Sequence, residues 1–417
     1  MLCQFSFWNY KSYREEATLD LSPANISEHK DHIIIEPTSG ESFLPIAVLY
    51  GPNGGGKSTV IDSFRYFRSK VLQVVRSFDD AWHSVENDRV AEKTLQRLRS
   101  KEHISFAFDS KYSDLPTGWC VSFITSGYEY KYTLAMIKNR ITEESLYSKS
   151  LTTGKVDMLF ERGDRIVLGG ELENVQVGKP NAELPLLSFL AALYDYERVN
   201  TVMSWFRSVR VIDYGNNVLG RNLTFLENLD GNTAIFRILN AIGIQISGLH
   251  FEKDSMGRIQ DVFSIYQCND ERVYLDFQQE SSGTKKVFSF LTPVFLSIQE
   301  GKPIFIDELD AKLHPKLLEF VISLFTNSTI NSKGAQLIIT SHDFYTLDSK
   351  FLRRDEIWFA AKRDDFSSHL YSLSDFKKLS SKGKQPRKDE NYAKQYLEGR
   401  YGADPYFQVI ENWTVEP

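Results

Sequence analysis

The chain has little cysteine, no long apolar run and no excess of positive charge. Its 417 residues include three cysteines, Cys3, Cys120 and Cys268, odd in number and scattered. That usage argues against a disulfide framework or a zinc site, and for a reducing compartment. No apolar run approaches the roughly 18 residues of a membrane span. The opening Met1-Leu2-Cys3-Gln4-Phe5 has no basic flank of the kind a signal peptide carries. The expectation is a cytoplasmic protein with no membrane contact. A formal net charge of −6 gives no global attraction to nucleic acid, so any such contact must be a local patch. No internal repeat and no long heptad run occurs, which leaves no long coiled-coil arm. What is present is ordinary for a soluble protein. Hydrophobic residues make up 42% and charged residues 25%, enough for a large core. The length suits roughly two or three domains.

One stretch organises the chain: Gly51-Pro52-Asn53-Gly54-Gly55-Gly56-Lys57-Ser58-Thr59. The apolar run Ile46–Tyr50 before it reads as a buried strand, and the spacing of Val60, Ile61, Phe64 and Phe67 after it reads as a helix. Strand, glycine loop, Lys-Ser and helix together make the G-x-x-x-x-G-K-[ST] pattern credible as a phosphate loop. Glycines let successive backbone N–H groups converge on one point, and the new helix aims its positive end there. Lys57 can neutralise β- and γ-phosphate oxygens, and the Ser58 hydroxyl can ligate Mg²⁺.

Apolar patterning predicts strands over 2–8 and 17–21, a polar loop over 22–42, and a helix from Lys57 to about Val75. Residues 79–101 are charged and irregular and are expected as an exposed lid or helix. Period-two alternation over His103–Asp109, Trp119–Ser126, Tyr128–Ile137 and Arg140–Ser148 predicts a β-meander, extended by a hairpin over Val156–Glu161 and Arg165–Leu168. After a linker at 169–184 come a helical stretch over Pro185–Arg207, a short helix at Thr233–Ala241, and strands at Ile246–Phe251, Val262–Gln267 and Val273–Phe277. The last third is α/β. Helices Thr284–Gln299, kinked at Pro293, and Pro315–Thr326 alternate with buried strands Pro303–Asp307 and Gln336–Thr340. Glu356–Ala360 and His369–Leu373 finish the sheet, and a basic, then aromatic tail follows from Lys377.

Four further fragments carry chemistry. Ile304-Phe305-Ile306-Asp307-Glu308 is an apolar strand ending in two acids, Asp307 suited to Mg²⁺ and Glu308 to polarising an attacking water. Leu337-Ile338-Ile339-Thr340-Ser341-His342-Asp343 is a strand ending in a histidine that can hydrogen-bond a γ-phosphate. Glu280-Ser281-Ser282-Gly283-Thr284 opens a helix, where hydroxyls and backbone N–H groups make an anion site. Leu313-His314-Pro315 follows Glu308 at short spacing and starts the next helix. Each has an ordinary structural reading when taken alone.

In this order, the fragments resemble the ATPase head of the ABC superfamily, in the branch holding RecF, the structural-maintenance proteins and the overcoming-lysogenization-defect (OLD) proteins. Within it, Glu-Ser-Ser-Gly-Thr, Asp-Glu-Leu-Asp-Ala-Lys-Leu-His-Pro and Thr-Ser-His-Asp look like the RloA/AbiLi-like ATP-binding proteins of bacterial abortive-infection and anti-phage loci. The tail Tyr396-Leu397-Glu398-Gly399-Arg400-Tyr401-Gly402-Ala403 is similar to the ending of ATPases paired with an RloB-like partner.

The resemblance implies an α/β fold: a RecA-like mixed sheet with flanking helices, an antiparallel β lobe and a helical insertion. The expected division is 1–180 for the N-terminal part of the head, 181–245 for the insertion and 246–417 for the C-terminal part. It implies ATP and Mg²⁺ as cofactors. Gly51, Asn53, Gly54, Gly56, Lys57, Ser58 and Thr59 would hold phosphate, with Ser58 and Asp307 on the metal. Glu308 and His342 would be the catalytic glutamate and switch histidine. Ser281, Ser282 and Gly283 would form the signature, His314 the D-loop position, and Lys11-Ser12 the element that touches nucleotide phosphate in this branch. Lys11 replaces the usual arginine, and His314 stands where transporters have aspartate. Gln245, Gln260 and Gln267 are equal candidates for a Q-loop glutamine.

It implies, further, a homodimer or higher assembly that closes on two ATP molecules and regulates a separate effector in anti-phage defence. The stretch after His342 is too short for the Toprim nuclease domain of OLD proteins, so a nuclease is expected in another protein. DNA or a phage component is a further possible partner. The alternative is a RecF-like repair clamp that binds duplex DNA through Lys377, Lys378, Lys382, Lys384, Arg387 and Lys388.

Overall fold

Alternating sequence in the first half of the chain builds an antiparallel sheet. The computed structural model describes residues 1–73, 104–178, 180–213, 233–257, 259–269, 271–310, 315–376 and 391–403. Strands β1 (Leu2–Trp8), β2 (Ala17–Asp20), β6 (Thr117–Thr125), β7 (Tyr128–Ile137), β8 (Arg140–Ser150), β9 (Val156–Arg162) and β10 (Ile166–Leu168) lie in the order β10-β9-β8-β7-β6-β1-β2, numbered along the chain. Ile34–Ile35 and Ser42–Phe43 form a small hairpin, β3–β4, within the polar loop.

A second sheet is mostly parallel. Its strands are β5 (Ile46–Tyr50), β11 (Arg210–Asp213), β15 (Ile304–Asp307), β16 (Leu337–Thr340), β17 (Ile357–Lys362) and β18 (Ser368–Ser372). They run in the order β11-β15-β16-β5-β17-β18, with only β18 antiparallel to its neighbour. Strands β5 and β16 are buried at every residue. That is why they read as unbroken apolar runs: a parallel strand covered on both faces has no solvent side to mark. A third sheet holds β12 (Gly248–Lys253), β13 (Ile259–Cys268) and β14 (Glu271–Asp276).

Helix α1 (Lys57–Val71) sits between the two large sheets. Phe64 stacks on Phe305 of the parallel sheet at 4.1 Å, and Phe67 stacks on Trp119 of the antiparallel sheet at 5.9 Å. Helices α2 (Leu186–Leu193) and α3 (Glu197–Ser208) join the same core, Trp205 stacking on Phe123 at 3.8 Å. The other face of the parallel sheet is covered by α4 (Thr233–Ala241), α5 (Ser282–Glu300) and α6 (Pro315–Thr326), whose apolar faces pack with Ile46, Val48 and Tyr50. A last short helix, α7 (Tyr392–Leu397), lays Tyr396 on Phe359 of β17 at 5.5 Å. The two sheets are stitched at one buried side chain. Gln336 accepts from the Leu2 amide at 2.6 Å and donates to the carbonyls of Leu2 at 2.9 Å and Leu44 at 3.2 Å.

Two expectations are corrected, and one strand was not expected. The described part of His103–Asp109 is not a strand. Its backbone is spent on the turn at 9–11, through Lys11 N to Ile104 O, Ala107 N to Lys11 O and Phe106 N to the Asn9 side chain. The ladder place it would take is filled, since β6 pairs directly with β1. The helix expected over Pro185–Arg207 is two helices, parted where Tyr194 turns extended. Strand β11, at the edge of the parallel sheet, is too short for its pattern to announce itself. Helix α5 runs through Pro293 from Ser282 to Glu300. The expected lid at 79–101 lies outside the described residues. Among the described residues no helix is long and apolar enough to cross a membrane, and all three cysteines are free.

Candidate functional site

The parallel sheet delivers its chemistry to one edge, where β5, β15 and β16 all end. From β5 the chain enters the glycine loop and then α1. Lys57, the first helical residue, is 5% exposed, and its ammonium donates to the carbonyls of Gly51 at 2.7 Å and Pro52 at 3.1 Å. Asn53, Gly54 and Ser58 are exposed, and Thr59 is half-buried. Burial pulls Lys57 from 10.5 down to about 8, while Asp310, then Asp307 and Glu308, pull it back up. Those three acids therefore share the field of the lysine.

Asp307 ends β15. Thr340, at the end of β16, donates its hydroxyl to Asp307 at 2.7 Å and accepts the Glu308 amide on the same oxygen at 2.7 Å. Glu308 is exposed and left-handed, with φ 53°. A non-glycine residue there costs on the order of 1–3 kcal/mol, which its surroundings must hold. Asp310 binds the next turn of β16's exit. Its Oδ2 accepts the His342 amide at 2.5 Å and the Ser341 hydroxyl at 3.2 Å. Its Oδ1 is buried and has no hydrogen-bond partner among the described residues. The sequence reading missed Asp310, although it stands three residues after Asp307 in Asp-Glu-Leu-Asp. The His342 side chain is exposed.

The outer wall of the loop comes from the two ends of the chain. Lys11, at φ 50°, pairs with Asp62 of α1 at 2.5 Å, and Asp62 also accepts from Tyr10 at 2.8 Å. Ser12 accepts from Ser368 through both backbone, at 2.7 Å, and hydroxyl, at 2.9 Å. Tyr13 donates to the Gly56 carbonyl at 3.3 Å. Packing here demands glycine. A Cβ on Gly56, at φ 108°, would press on the Ser368 and Tyr13 side chains, and one on Gly51 would overlap the Ala360 carbonyl.

The family model described as "AAA domain, putative AbiEii toxin, Type IV TA system" matches residues 46–348, well over half of the chain. The chain belongs to that AAA family. The family is one of nucleotide-hydrolysing ATPases, and the matched span runs from β5 through His342, so it contains the loop and all three acids. Lys11, Ser12 and the β17–β18 hairpin fall outside the span, yet they pack on the loop. No curated protein matches the chain.

One expected element does not join this cluster among the described residues. Ser281, Ser282 and Gly283 open α5, exposed, with the Ser281 hydroxyl accepting from the Thr284 amide at 3.0 Å. Among the described residues no hydrogen bond links them to the glycine loop. His314 and the basic run from Lys377 to Lys388 lie outside the described residues. Magnesium takes few protein ligands and keeps waters and phosphate oxygens. The exposed Ser58 hydroxyl and the Asp307 carboxylate are donors of that kind. No cluster of three or more His, Cys, Asp or Glu able to hold a metal occurs among the described residues.

Proposed function

We propose that this chain is a Mg²⁺-dependent ATPase head of the RecF/structural-maintenance/OLD kind. Two copies close around ATP, and closure governs a separate effector, a nuclease, in abortive-infection defence in the cytoplasm. The observation that carries the ATPase reading is the sheet order: β15, β16 and β5 are adjacent and parallel, so Asp307, Glu308 and the glycine loop with Lys57 leave the sheet at one edge. Lys57 would neutralise the β/γ-phosphates, and Ser58 and Asp307 would hold the ion. An ion held there would supply charge neutralisation for the phosphate oxygens. Glu308, exposed at the strand end, would accept a proton from the water that attacks the γ-phosphorus as the bond to the β-phosphate oxygen breaks.

The dimer reading is supported by where α5 begins. The helix ends at Gly301, three residues before β15, so it runs against the strand and starts at the same sheet edge as the glycine loop. Its 19 residues span roughly 28 Å, against about 13 Å for the four of β15, so Ser282 projects past the strand ends. Strand β5 lies two places from β15, roughly 10 Å to the side. A projecting, exposed anion site set aside from its own loop suits the loop of a second copy. The family description, with its toxin context, and the Tyr396–Ala403 ending support the effector reading.

The test is Glu308→Gln. With ATP and Mg²⁺ the variant should accumulate as a dimer in light scattering, and Lys57→Ala should not. A Glu308→Gln variant that binds ATP and stays monomeric would refute the shared-nucleotide dimer. A nuclease co-purifying only with ATP supports defence, whereas steep salt-dependent duplex-DNA binding by the chain alone supports the RecF-like clamp.

A further inference from the structure

The sheet of β12, β13 and β14 ends in an open edge. Strand β14 pairs with β13 along its whole length without a bulge, and among the described residues none of its backbone groups bonds elsewhere. The opposite edge is guarded, since β12 breaks register between Glu252 and Lys253. An edge with no bulge, proline or lysine is a template for another strand. The middle of β14 is apolar and turned to solvent, with Val273 46% and Tyr274 51% exposed. The strand is also anchored from behind. Phe277, which follows it, is buried against Phe288 of α5 at 5.3 Å, and Tyr266 of β13 donates to Glu280 at 2.7 Å.

The order of its residues says what pairs with it. In an antiparallel ladder with a two-fold axis, a residue before the axis lies opposite the one equally far after it, on the same face. With the axis at Tyr274, Arg272 lies opposite Asp276 at both ends, Val273 lies opposite Leu275, and Tyr274 meets its own copy. Charges then meet opposite charges, and apolar side chains meet apolar ones. With the axis at Val273, Glu271 would face Leu275 and Arg272 would face Tyr274. With it at Arg272 two arginines would meet, and at Leu275 the ring of Tyr274 would face Asp276. Both charges are available for the favoured register. Among the described residues Arg272 forms no ion pair, and Asp276 gives one carboxylate oxygen to the Gln278 amide at 2.8 Å.

We propose that β14 is a self-recognition edge. A second copy of this chain adds its own β14 antiparallel about Tyr274, merging two three-stranded sheets into one. So short a ladder falls below the roughly 1,200 Å² of a stable interface, so the contact is weak alone and joins heads already held close. It goes beyond the shared-ATP pairing and needs no nucleotide. Because Ser282 opens α5 shortly after Asp276, the contact also ties two helix starts together.

Covalent trapping of the full chain at high concentration, without nucleotide, tests this. The exposed thiol on β13 is first removed by Cys268→Ser. Opposed residues of an antiparallel pair have Cα atoms about 4.5–5.5 Å apart, within reach of a disulfide. In that background Tyr274→Cys should form a covalent dimer on mild oxidation. Val273→Cys should not, because its two copies lie on a diagonal, beyond about 7 Å. Adding Arg272→Asp to Tyr274→Cys opposes acid to acid twice and should lower the trapped fraction roughly fivefold. Adding Asp276→Arg as well should restore it. Arg272 is exposed, and a thermal scan should show the Arg272→Asp chain unfolding with its parent. No dimer from Tyr274→Cys, equal trapping by Val273→Cys, or a trapped fraction that ignores Arg272→Asp overturns the pairing. Each of these leaves the ATP-dependent dimer of Glu308→Gln untouched, since no nucleotide is present.

Discussion

Thr340 gives its hydroxyl proton to Asp307 and, on the same oxygen, takes the amide proton of Glu308. One side chain therefore fixes Asp307 and the left-handed Glu308 beside it. Thr340→Val keeps the shape and removes both bonds. The expected cost is roughly 1 kcal/mol of stability, from a half-buried carboxylate oxygen and an amide that each lose a partner. ATP turnover should fall while KM stays near the wild-type value, and Thr340→Ser should restore most of it. Chemical denaturation and steady-state kinetics check the two halves.

Asp310 holds His342 by the backbone, through the 2.5 Å bond from its amide. Asp310→Ala should release that segment and lower kcat about 10-fold or more with KM little moved, the pattern of a positioning residue. Asp310→Asn retains an acceptor oxygen and should lie between the two. If both variants turn over ATP as the wild type does, His342 is not placed by this carboxylate.

The glycine loop offers a paired test. Gly56→Ala meets Ser368 and Tyr13 from a positive φ, whereas Gly54→Ala, at φ 75°, has nothing within 4 Å. Gly54→Ala should carry only backbone strain, about 1 kcal/mol. Gly56→Ala should cost several times that and abolish binding of a fluorescent ATP analogue. Thermal unfolding and titration would rank them.

Burial, then the nearby Arg363, lowers the His369 pKa below its usual 6.5. The folded state thus takes up this proton later than the unfolded one. Above pH 6.5 both states are neutral and the group contributes nothing; as pH falls below 6.5 the unfolded chain protonates first and stability drops. His369→Phe, which keeps the stack on Tyr371 at 5.0 Å, should reduce that acid-side slope. Unfolding free energies measured from pH 5 to 8 would show it.

Glu144 caps a helix from across the sheet. It accepts the amides of Leu186 at 2.6 Å and Leu187 at 2.9 Å, and the Tyr132 hydroxyl at 2.9 Å. Glu144→Ala strands those donors and removes the carboxylate 3.6 Å from the buried Arg162, which keeps its bonds to the Leu184 and Asn181 carbonyls. A loss of about 3 kcal/mol in urea unfolding is expected.

Much of this was legible because local chemistry and tertiary place agree. The loop at 51–59 announces itself through glycine and lysine, and β5, β15 and β16 through apolar runs that only covered parallel strands carry. What was not legible depends on distant partners. The alternation over 103–109 promised a strand, but Asn9 and Lys11 claimed its backbone first. Asp310 looked like one more acid, because nothing local says that a strand exit thirty-odd residues later will bind it.

Gln336 imitates a peptide group. With one amide it answers both the N–H and the C=O of Leu2, as a neighbouring strand would, and it reaches Leu44 as well. Prying the antiparallel lobe from the nucleotide-edge sheet at this seam would leave several polar atoms dry and unanswered. The two large sheets are therefore expected to move as one plate, with any bending left to other joints.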